Sequence, residues 1–154
     1  VVDAVARIER SESAAPRLDG ARGLEITPYR RDDLAEILAL DLRLTGLDRR
    51  FDLEEVVRLV ARRRGSIAGF LGARGGLLGP VLALDVADLA VLVARHLSEL
   101  AGPATARLST AAPNGVMALL ALGFYVVDMG LVLSRGVSPP ARPPQLYSIL
   151  PEVL

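Results

Sequence analysis

One stretch fixes the possibilities for this chain more than any other. It runs from Arg64 to Gly102 and reads, in pieces, as strand, tight turn, strand and long helix. Ser66 to Ala73 is a run of small and apolar residues. Arg74-Gly75-Gly76 follows, and paired glycines reach positive φ without a Cβ clash, which is a hairpin signal. Leu77 to Leu84 is a second apolar run, broken by Gly79-Pro80. Asp85 caps a helix that reads through Leu100 and stops at Gly102-Pro103. Pro80 lacks an amide hydrogen, so the second strand is expected to bulge or part from a neighbour there. A parted strand leaves backbone groups that a ligand can use. The helix start presents free amides to an anion. Its first turn, however, carries Asp85 and Asp88, which satisfy those amides themselves and repel a phosphate.

Composition narrows the functional classes. The chain has 154 residues, enough for one domain with a real core, and is 51% hydrophobic, which argues against disorder. Its formal net charge is zero, so it lacks the basic excess of a nucleic-acid binder. All 18 basic residues are Arg, scattered along the chain. There is no Cys, hence no disulfide, thiol nucleophile or thiolate metal site, and a single His96 argues against a zinc or iron centre. No apolar run is long enough to span a membrane, and Asp3, Arg7 and Glu9 stand where a signal peptide needs an apolar core. A cytoplasmic location is the expectation.

Taken in order, Val1 to Arg10 reads as a strand. It resembles Val126 to Arg135, an offset of 125 residues, sharing V-V-D and the closing Arg. Either Val1–Arg10 closes an earlier, similar unit, or it is a plain edge strand. Residues 11–22 have linker composition. A domain is expected over 23–136, and a Pro-rich tail over 137–154 with a possible last strand from Leu146. Within the domain, Leu24 to Thr27 is a short strand. A helix from Asp32 to about Leu44 follows, with Leu34, Ile37, Leu38 and Leu42 on one apolar face. Gly46 ends it. A second helix is expected from Asp52 through Arg63, with Leu53, Val56, Val57, Leu59 and Val60 inside and Arg62, Arg63 and Arg64 as a basic last turn. After the organising unit come a strand at Thr105 to Thr110, a helix from Gly115 to Leu122, and a strand from Tyr125 to Ser134. The predicted class is a mixed α/β (α+β) fold, with helices on both faces of a mixed, largely antiparallel sheet.

That order resembles the GCN5-related N-acetyltransferase (GNAT) superfamily, an acyl-CoA N-acyltransferase fold. The resemblance rests on G-S-I-A-G-F before the turn, L-L-G-P-V-L-A-L feeding a long helix, and N-G-V-M-A-L-L-A-L-G-F. More narrowly, T-G-L-D-R-R, G-P-V-L-A-L-D and L-G-F resemble the divergent second domain of tandem GNAT proteins. It implies acetyl-CoA as cofactor and an amine acceptor, small molecule or peptide. It also implies a preceding GNAT domain or a homo-oligomer as partner, with no role for nucleic acid, membrane or metal. Cofactor contacts are implied for the main chain of Val81, Leu82, Ala83 and Leu84 and for Asn114. The family's glycine-rich pyrophosphate loop is missing, since the junction reads A-L-D-V-A-D-L-A. No Tyr stands on the helix after Asn114. Two readings of function stay open: an acetyl-CoA-dependent N-acetyltransferase, weak or inactive as this chain alone, or a non-catalytic partner that supports or shapes the substrate of an active domain.

Other candidates have bland alternatives. Asp48 and Arg49 would line an acceptor pocket or form an ion pair at the start of the second helix. Tyr125 would reach the cleft or fill the core. His96, beside Arg95 and Glu99, reads as part of a solvated helix face rather than a general base. Tyr147 would fold over a cleft.

Overall fold

A computed structural model of the chain describes residues 2–10, 23–109, 113–133 and 145–146. The linker 11–22, Tyr147 and most of the Pro-rich tail lie outside the described residues. The elements, in chain order, are β1 (Val2–Arg10), β2 (Leu24–Pro28), α1 (Leu34–Thr45), α2 (Arg50–Val56), β3 (Val57–Arg63), β4 (Ser66–Arg74), β5 (Leu77–Ala83), α3 (Val86–Glu99), β6 (Ala104–Ser109), α4 (Pro113–Ala121), β7 (Tyr125–Leu133) and β8 (Gln145–Leu146). A single 3-10 turn at Arg31–Asp33 leads into α1.

The main departure from the sequence expectation is the second helix. It ends at Val56, and Val57 to Arg63 is a strand instead. Residues of alternate parity in that strand face opposite sides of the sheet. Leu59 and Ala61 enter the core against α3, whereas Val60 enters the core against α1 and α2. Apolar residues on both faces of a covered strand imitate a helical stripe, which is why the periodicity misleads here. Arg62 and Arg63 are therefore not a helix C-terminus. Arg64-Gly65, both at positive φ (49° and 84°), turns β3 into β4. Gly75, at φ 57°, sits in the expected turn from β4 to β5.

The strands form one sheet in the order β2-β3-β4-β5-β6-β1-β7, and β8 pairs with β5. All pairs are antiparallel except β5 with β6. Helices cover both faces. α3 and α4 pack Leu89, Leu92, Leu97 and Leu119 on strand residues Leu71, Leu78 and Val81. On the other face, Ile37 and Leu40 of α1 and Leu53 of α2 pack on Val60, Phe70 and Leu82. Full burial of one such side chain contributes about 2 kcal/mol. Leu42, expected on the inner face of α1, is exposed, and Asp41 takes an inner position.

β1 is not an edge strand. It lies between β6 and β7, antiparallel to both. Its register with β7 has an internal symmetry. Under the 125-residue offset Val5 corresponds to Gly130, and Val5 pairs with Gly130 itself. The two segments that share V-V-D therefore meet about a local two-fold axis.

Candidate functional site at the split between β5 and β6

β5 and β6 are held together at one end only. Leu77 pairs with Thr105 and Leu78 with Ala106, and the Thr105 amide donates to the Gly76 carbonyl at 2.8 Å. Gly76 allows this approach, because a Cβ there would lie 2.3 Å from the Pro103 carbonyl oxygen. The ladder stops at Gly79-Pro80. On the β4 side the register also shifts between Leu71 and Ala73, opposite the proline. The strand is thus both bulged and parted at Pro80, where the sequence reading expected one or the other.

Of the main-chain candidates beyond the split, Val81 pairs with Leu71 of β4 and Leu82 with Phe70. Ala83 pairs with Gly69. The Leu84 amide donates to the Ala68 carbonyl at 2.8 Å, so it is turned toward β4 and away from the split. The other edge of Val81 and Leu82 is taken by β8, with Val81 opposite Leu146 and Leu82 opposite Gln145. The chain's own backbone lies where the sequence reading expected a ligand.

At the start of α3 the Asp85 carboxylate accepts from the Ala87 amide at 2.7 Å, the expected cap. Asp88 behaves differently from expectation. It is 1% exposed and accepts two hydrogen bonds from Arg63, at 2.9 Å from Nε and 2.5 Å from Nη2. The Asp88 hydrogen bonds, against a smaller opposing effect of burial, hold the Arg63 guanidinium above its ordinary range. On the opposite face Arg62 donates to Asp33 at 2.6 Å and to Glu36 at 3.3 Å. Neighbouring arginines on one strand therefore pin helical layers on opposite sides of the sheet. No sequence alternation marks this, because Leu59, Val60 and Ala61 are apolar in succession and buried on both faces.

The remaining candidates scatter. Asp48 and Arg49 do not pair with each other. Arg49 reaches back with Nε and Nη2 to both carboxylate oxygens of Asp41, which is fully buried on α1. Asp48 only accepts from the Arg50 amide, at 3.3 Å. Asn114 is exposed in the first turn of α4. Tyr125 is 51% exposed and opens β7, two strands out from β6, so it is neither core nor cleft. His96 is half-buried rather than solvated, and burial lowers its pKa below the ordinary 6.5. Its Nε2 has no hydrogen-bond partner among the described residues.

These residues do not fit coenzyme A. A pyrophosphate at the α3 N-terminus needs free amides and close backbone approach. Here one amide is capped by Asp85 and a second carboxylate is buried in the same turn. Among the described residues no group of His, Cys, Asp and Glu is placed to hold a metal ion. No described helix is long and apolar enough to cross a membrane.

No family model matches the chain, and no curated protein matches it in sequence. Solved structures do match. A GNAT-family structure from Novosphingobium aromaticivorans superposes with a TM-score of 0.66 at 14% identity, over 85% of this chain and 63% of that one. A GCN5-related N-acetyltransferase from Sphaerobacter thermophilus gives 0.68 at 12% identity, over 83% and 50%. A structure from Pyrococcus horikoshii, described as an acetyltransferase, gives 0.62 at 15%, over 86% and 46%. The chain thus spans between about half and two thirds of the length of these proteins. The mixed sheet split at β5 and β6, its helices on both faces and these superpositions together show that the chain has the GNAT fold.

Proposed function

We propose that this chain is the non-catalytic unit of an acetyl-CoA-dependent N-acetyltransferase. It supports or shapes the site of an active GNAT unit that carries the cofactor and the amine acceptor. The observation behind this reading is the first turn of α3, where Asp88 is buried against Arg63 and Asp85 holds the Ala87 amide. An incoming pyrophosphate meets the Asp85 carboxylate there and finds the Ala87 amide already taken. The local two-fold between β1 and β7 supports the companion role. A segment with sequence likeness to β7 is inserted between β6 and β7, as the closing strand of a preceding, similar unit would be in this proposal.

Titration calorimetry of acetyl-CoA into the chain tests this. The expected result is no binding up to about 1 mM, the concentration that corresponds to roughly −4 kcal/mol. Micromolar binding overturns the reading. It would instead favour an acetyl-CoA-dependent N-acetyltransferase acting on an amine, the alternative that the parting of β6 from β5 beyond Leu78 supports.

A further inference from the structure

We propose that the parted edge of β5 is a strand-accepting site, that its ligand is an extended peptide main chain, and that its occupant is this chain's own segment Gln145–Leu146. The need for an occupant follows from the split. Among the described residues, β6 pairs with β5 only at Leu77 and Leu78. Pro80 has no amide hydrogen, and neighbouring strand residues point their main-chain groups to opposite edges, so the next groups facing the split belong to one of Val81 and Leu82. Both residues are buried, at 4% and 0% exposure. A buried backbone group left unpaired costs about 1–3 kcal/mol. β4 already holds the opposite edge of these same two residues. A third strand can therefore join only from the β6 side, and β8 does so in antiparallel register. The site has a built-in length limit, because the Leu77–Leu78 ladder closes one end of it.

Recognition here is by backbone, so the site reads strand geometry and the absence of proline rather than side-chain identity. That separates two kinds of variant. Leu146→Pro removes a main-chain donor from β8, whereas Gln145→Ala leaves its backbone unchanged.

Amide hydrogen exchange on the intact chain provides the test. One of the Val81 and Leu82 amides faces β8. In Leu146→Pro, and in a chain shortened to end at Arg135, that amide is expected to exchange at least ten-fold faster. Gln145→Ala should match the parent chain. Phe70 and Leu71, across the β4 ladder, serve as the internal control that the sheet remains folded. A peptide of residues 143–149 added to the shortened chain should restore protection. Unchanged exchange at both Val81 and Leu82 in Leu146→Pro, with the control amides protected, overturns the proposal. The shortened chain also separates this site from the reading of function proposed above. Acetyl-CoA binding to the shortened chain alone would overturn the cofactor-free reading and leave β8 as the element that excludes the cofactor. No binding to either chain keeps both.

Discussion

The split between β5 and β6 divides the molecule into two unequal regions. On one side, β2 to β5 are covered by α1 and α2 on one face and α3 on the other, and their buried carboxylates are paired: Asp33 with Arg62 and Asp88 with Arg63 onto the sheet, and Asp41 with Arg49 within the α1–α2 layer. On the other side, β6, β1 and β7 carry α4, and β7 leaves the apolar side chains of Tyr125, Val126, Val127 and Met129 largely exposed. The first region also exposes Leu42, Leu47 and Phe51, but these lie on helices and a loop, not on a sheet edge. A natural sheet edge usually carries charge or proline against unwanted pairing. The difference is between a region whose buried carboxylates are paired with arginines and one whose described outer strand keeps apolar side chains exposed.

The largest expected effect breaks the closure of the first region. Arg49→Met leaves the Asp41 carboxylate buried without its partner, a change that costs about 3–5 kcal/mol. Chemical denaturation measures this. Combining it with Asp41→Leu should recover most of the loss, because the uncompensated charge is then gone. If Arg49→Met alone is neutral, the pair is not what holds α1 against the start of α2.

The joint between the regions comes next. Gly76→Val places a Cβ 2.3 Å from the Pro103 carbonyl oxygen, and that atom belongs to backbone. β6 must retreat from the start of β5, at a cost of about 2 kcal/mol. Hydrogen exchange should show the Thr105 amide, which donates to Gly76, losing protection. A Thr105 amide as protected as before would mean that the joint is held elsewhere.

The outer region predicts the opposite pattern. Met129 is 63% exposed on β7, so Met129→Glu should change stability by less than about 0.5 kcal/mol. It should nevertheless reduce concentration-dependent association in sedimentation velocity, because a charge on an open edge opposes strand pairing. Lost stability would show that β7 is part of a packed core, and the contrast between the two regions would fail.

How far the sequence carried this picture follows the same division. The β4-β5-α3 unit was legible because its turn glycines, Pro80 and Asp85 each act within a few residues. The β3 strand was not, since both its faces are covered and Leu59, Val60 and Ala61 carry no clean alternation. The pairing of Asp88 with Arg63 spans 25 residues and depends on that strand, so it vanished with it. The repeat between Val1–Arg10 and Val126–Arg135 was visible, but its pairing needed the register of the sheet. For the candidate site, local chemistry found the acidic junction and the parted strand. It did not show that β8 pairs there, because strand pairing across more than 60 residues leaves no local trace.

The smallest prediction asks how tightly α3 seals the first region. Burial holds the His96 pKa below 6.5, with Glu99 pulling it up and Arg58 pushing it further down. In the unfolded chain the imidazole titrates near 6.5. As pH falls below that value, the unfolded state binds a proton before the folded state does, and stability drops. Above the unfolded value the full contribution is present, and it is lost as pH falls through the folded value. His96→Gln cannot be charged in this range and should flatten that part of the profile. Melting temperatures of both proteins between pH 7.5 and 5.5 give the answer, with the acidic residues common to both cancelling in the difference. Parallel profiles would mean that solvent reaches Nε2 freely and that this end of α3 belongs with the open region after all.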